Sequence, residues 1–137
     1  MIEEAEEITE EESHRTGFFY FVEALRILSL DADRQCEAMG NFNTPWEICD
    51  DIYGGKYIDH PTIGLSKEHK KAIASLLSGL EKLPEDAIVS PGLDMESHAG
   101  CIQAMRHPAW EPMRQEASRL IEILEPVIRK NHEYFPQ

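Results

Sequence analysis

Apolar positions along this chain recur at steps of three and four. Between residues 18 and 40, Phe18, Phe21, Val22, Leu25, Leu28, Ala32, Cys36 and Met39 keep that spacing, which puts them on one face of a helix. From Phe18 to Leu30 apolar residues sit on nearly every side, so this half is expected to be buried all round. Asp31, Asp33, Arg34 and Glu37 turn the second half polar, and Gly40 supplies a left-handed stop. The pattern predicts one long central helix near 18–39.

The other elements follow in order. Thr44-Pro45-Trp46-Glu47 has the form of a capping box that opens a short helix over 45–53, closed by Gly54-Gly55. Ser66 opens a helix to about Leu83, with Ile73, Leu76, Leu77, Leu80 and Leu83 inward and Lys67, Lys70 and Lys71 outward. A fourth helix, about 94–106, carries the small residues Ala99, Gly100, Cys101 and Ala104, which permit close packing. The last begins near Pro108 or Pro112, and Trp110, Met113, Ala117, Leu120, Ile121, Leu124, Val127 and Ile128 mark its core face, with a kink expected at Pro126. Residues 56–64 and 84–92 read as loops. No period-two alternation lasts long enough for a sheet. The expected fold is all-α: one compact domain of about five helices over 17–137, preceded by an acidic arm over 1–16, a frayed helix or flexible segment.

Charge sharpens this picture. The net charge is −13 and it lies in two blocks. Residues 1–12 hold seven carboxylates and no base; residues 31–51 hold Asp31, Asp33, Glu37, Glu47, Asp50 and Asp51 against Arg34 alone. Phosphates would be repelled, so nucleic acid and anionic membrane are not expected partners, whereas a basic protein would be attracted. The apolar stretch 18–30 is too short to span a bilayer and contains Glu23 and Arg26. With no basic region followed by an apolar run near residue 1, a cytoplasmic protein is expected.

Candidate chemistry is sparse. Cys36, Cys49 and Cys101 form no CxxC pair and read as buried reduced thiols. The six histidines show no HExxH and no i, i+4 pair of their own, and read as surface or structural residues. No phosphate-binding glycine loop or nucleophile elbow is present. No cofactor, metal or catalytic residue is therefore assigned. What remains is the acidic constellation with its aromatic neighbours. Asp33 and Glu37 share a helical face, as do Glu47 and Asp50 or Asp51. If the two segments form a hairpin about Gly40, the six carboxylates converge, beside Phe42 and Trp46 as hydrophobic anchors. Asp31, Asp33, Glu37, Phe42, Trp46, Glu47, Asp50 and Asp51 are the candidate partner-binding residues.

Two other readings use the same residues. Glu47-Ile-Cys-Asp50 fits ExxD, half of the signature of the magnesium-dependent all-helical nucleotide pyrophosphohydrolases. The upstream ExxE that this family resemblance requires is replaced by Asp33 and Glu37, four apart. The third class is a regulatory helical module that self-associates as a homodimer through Phe42 or Trp46. In size, acidity and helical content over its full length, the chain resembles the small acidic helical immunity proteins of bacteria, such as those of contact-dependent growth inhibition systems. The stretch LSLDADRQCEAMGNFNTPWEICDD also resembles small bacterial proteins with no activity attached. The immunity resemblance implies a non-enzymatic inhibitor of a basic toxin domain, often a nuclease, with the six carboxylates flanking or filling the toxin's cleft and Trp46 as an anchor.

Overall fold

The structure, a computed structural model, describes residues 9–134. Seven α-helices form one all-helical unit, with no strand among the described residues: α1 (Glu10–Leu28), α2 (Ala32–Ala38), α3 (Thr44–Tyr53), α4 (Lys67–Glu81), α5 (Glu85–Ile88), α6 (His98–Met105) and α7 (Trp110–Lys130). Short 3₁₀ turns follow α3 and α7, at Gly54–Tyr57 and His132–Tyr134. Of the acidic arm expected over 1–16, residues 1–8 lie outside the described residues and residues 10–16 are the first turns of α1.

α1 is the central element, as its apolar content predicts. Phe18, Phe21, Val22, Ala24, Leu25 and Leu28 are buried against α7 on one side and α3 on the other. α4 packs on α7 through Ile73, Leu76, Leu77 and Leu80, and Trp110 is fully buried with its indole N–H donated to the Ala87 carbonyl at 2.8 Å. That bond fixes α5, a single turn inside the stretch expected to be loop. Asn131, also buried, donates to the carbonyls of Ile63 and Val127 and so ties the 58–65 loop to the end of α7.

The expected helix over 18–39 is two helices. α1 ends at Leu28, and Asp31, in extended conformation, caps α2 by accepting the Arg34 N–H at 2.9 Å. The apolar period runs through the break because Ala32 and Cys36 restart it, whereas an aspartate at a cap position stops the backbone ladder. Buried Gln35 then donates to the Leu28 carbonyl at 2.8 Å, satisfying an acceptor that the broken helix leaves open.

The capping box at Thr44 does not form. Asn43, with φ of 42°, precedes α3, and Thr44 is drawn into the interior, its N–H directed at the Cys101 sulfur at 3.5 Å. The box one helix later does form: Ser66 Oγ accepts the His69 N–H at 3.1 Å and His69 Nδ1 accepts the Ser66 N–H at 3.0 Å. Gly54 has an ordinary helical φ of −55°; the glycine that matters is Gly55, where a Cβ would lie 2.6 Å from the Phe21 ring. Its bare backbone lets the 3₁₀ turn lie flat on α1. Gly100 plays the same part on α6, but the close neighbour is the Asp94 carbonyl just upstream rather than another helix.

Candidate functional site

α3 presents its wet side as one strip. At 3.6 residues per turn, Trp46, Asp50, Glu47 and Asp51 fall within about 140° of the helix circumference, facing away from buried Ile48 and Ile52. Phe42 stands just ahead of the strip, in a turn where Gly40, Asn41 and Asn43 all have positive φ. Phe42 and Trp46 are each 51% exposed, Tyr20 is 65% exposed and Tyr57 77% exposed. These aromatics dominate the large apolar side chains left in solvent, the others being Val89, Leu93 and Ile123.

Between α3, the first half of α1 and the 3₁₀ turn lies an open groove of about 400 Å³, lined by His14, Gly17, Tyr20, Asp51, Gly54 and Tyr57 among others. Burial raises the Asp51 carboxyl above the usual carboxylate range, and the charges of Glu47 and Asp50 raise it further. Among the described residues, no cation pairs with Glu47, Asp50 or Asp51. A carboxylate crowded by like charges, in a groove that two tyrosines also line, has the chemistry to pair with a guanidinium or ammonium and to offer it ring faces.

The remaining acids go elsewhere. Asp31 is occupied as the α2 cap and borders a hollow shared with Glu111 and Arg114 of α7. Asp33 accepts from Arg106, just past α6, at 2.9 Å. Glu37 is exposed on α2. Asp51 sits beside the first half of α1, and Asp31 lies beyond its last residue. From Gly17 to Leu28 the helix alone advances about 16 Å, so Asp31 and Asp51 stand well apart along α1 and the six carboxylates do not form one cluster.

For the alternative reading, Glu47 and Asp50 do share the α3 strip, but Asp33 is held by Arg106. Among the described residues, the one group of three His, Cys, Asp or Glu donors with ligand atoms within 4.8 Å of one another is Glu10, His14 and His60. Cys36 and Cys101 are fully buried and Cys49 half-buried; burial pushes the Cys49 thiol up to about 12 and also raises Cys36, which disfavours the thiolate at both. No helix among the described residues is long and apolar enough to cross a membrane.

Tyr20, Tyr57 and the histidine pair were not legible as site residues, since nothing local distinguishes them and only the fold brings them to α3. Comparison with protein-family models, with curated proteins and with solved structures finds no match.

Proposed function

We propose that this chain is a protein-binding protein that receives a basic partner on the outer face of α3, in the manner of an immunity protein neutralising a toxin domain. Trp46 and Phe42 supply the apolar contact, Glu47 and Asp50 steer and orient, and the Asp51 groove takes one arginine or lysine of the partner between Tyr20 and Tyr57. The observation that carries the reading is the groove itself: an exposed carboxylate with which no cation pairs among the described residues, lining the groove together with exposed Tyr20 and Tyr57. Aromatic residues and a partner's arginine are enriched at interface centres, and the surrounding negative field accelerates encounter with a positive surface.

The test is capture of partners from the native lysate with the wild-type chain and with Trp46→Ala. A basic protein retained by wild type, lost with Trp46→Ala and bound more slowly as salt rises supports the proposal. Magnesium-dependent turnover of nucleoside triphosphates abolished by Glu47→Gln contradicts it. So does a stable homodimer that covers Phe42 and Trp46.

A further inference from the structure

We propose that Glu10, His14 and His60 bind a divalent transition-metal ion of the zinc class, at the end of the groove that His14 also lines. The inference is independent of the partner-binding reading, since it uses none of the α3 residues. Glu10 and His14 are one helical turn apart on α1, the spacing at which two side chains reach one point. His60 comes from the loop after the 3₁₀ turn, where the Ile58 carbonyl accepts its N–H and its own carbonyl accepts from Ile63. The fold brings its ring onto that of His14, with centroids 4.1 Å apart and planes 14° from parallel. Both Nε2 atoms approach the same Glu10 oxygen, at 3.7 Å from His14 and 3.9 Å from His60. Both histidines are half-buried.

Two imidazoles and one carboxylate form a donor set that suits zinc and its neighbours rather than magnesium or calcium, which prefer oxygen. Three protein ligands leave coordination positions for water or a ligand in the adjoining groove. Metal would reorganise the cluster in a defined way. Stacked rings aim their lone pairs side by side, so one ring must tilt before both nitrogens point at a common centre. His60 must also change tautomer. Its Nδ1 now accepts the Thr62 N–H at 3.1 Å, which places the proton of the neutral ring on Nε2. Coordination through Nε2 sends that proton to solvent; Nδ1 takes one up, and the Thr62 bond is released. Unloaded, the same three groups are two stacked imidazoles beside a carboxylate oxygen that lies beyond hydrogen-bond distance of both, and the experiment separates these states.

The full-length protein, freed of metal with a chelator, is titrated with Zn²⁺ by calorimetry, with Mg²⁺ as the control. The expected result is one Zn²⁺ per chain with a Kd of about 10 µM or tighter, unaffected by excess Mg²⁺. His14→Ala and His60→Ala should each weaken it at least tenfold. Imidazole ¹⁵N spectra should show the His60 proton moving from Nε2 to Nδ1, with a shift of the Thr62 amide. Co²⁺ in place of Zn²⁺ should give no thiolate charge-transfer absorption, which excludes Cys36, Cys49 and Cys101 as ligands. Absence of Zn²⁺ binding at this level, binding that survives loss of both histidines, or a thiolate band would each overturn the inference. Should a variant fail to fold, the His60 tautomer change in the wild-type protein decides the question alone.

Discussion

Asp31, Asp33 and Glu37 lie in or beside α2, and Glu47, Asp50 and Asp51 on α3. The two sets are equal in number and close in sequence, but the fold treats them differently. Around α2 the charge is largely spent on structure. Asp31 caps the helix, Asp33 holds Arg106, and behind them Arg114 donates to Gln35 Oε1 at 2.9 Å and to the Met105 carbonyl. Gln35 in turn reaches the end of α1, so one polar network pins the meeting point of α1, α2, α6 and α7. On α3 no such partners exist among the described residues, and the aromatic side chains beside the acids stay in solvent. Acid content alone therefore does not single out a surface for the proposed contact; acids left without cations beside exposed rings are what the proposal rests on.

The α2 network depends most on Arg114, whose side chain is only 11% exposed. Arg114→Ala strips donors from Gln35 and from the Met105 carbonyl in a nearly dry site. It should cost about 3 kcal/mol, read as a lower urea midpoint at unchanged slope. Asp31→Ala removes one cap bond in solvent and should cost about 1 kcal/mol by the same measurement.

The smallest effect has the opposite sign. Asp51 holds its proton more tightly in the folded chain than in the unfolded one, so its ionisation opposes folding from the ordinary carboxylate range upward, and in full once the pH exceeds its raised folded value. Asp51→Asn should therefore stabilise the chain at pH 7, by no more than about 0.5 kcal/mol because the site is partly wet. That gain should shrink as pH falls through the raised value and vanish below the ordinary carboxylate range. A loss of stability at pH 7 would mean that Asp51 has a structural partner.

Much of the architecture was readable because burial writes itself into spacing. The faces of α4 and α7, the Ser66 cap and the buried Trp110 all follow from local pattern. The pattern failed where one residue served two masters. Asp31 interrupts an apolar period that resumes at once, so the break between α1 and α2 was hidden. Thr44 has the chemistry of a cap but was claimed by the interior beside Cys101. For the site, Phe42, Trp46, Glu47, Asp50 and Asp51 do fall on or next to one strip, as helical spacing implies. The rest depended on tertiary placement. Arg106 neutralises Asp33 from far along the chain, Tyr20 and Tyr57 border Asp51 from other elements, and His60 joins Glu10 and His14 only after α3 turns back on α1.

On the proposed reading the unpaired acids of α3, and not the paired Asp31 and Asp33 beside and within α2, contact the partner. Binding of the captured basic protein to Asp51→Asn and to Asp33→Asn, side by side at fixed salt, tests it most directly. The account predicts at least a tenfold loss for Asp51→Asn, about 1.4 kcal/mol, with Asp33→Asn within twofold of wild type. Equal losses at both positions, or a loss confined to Asp33→Asn, would contradict it.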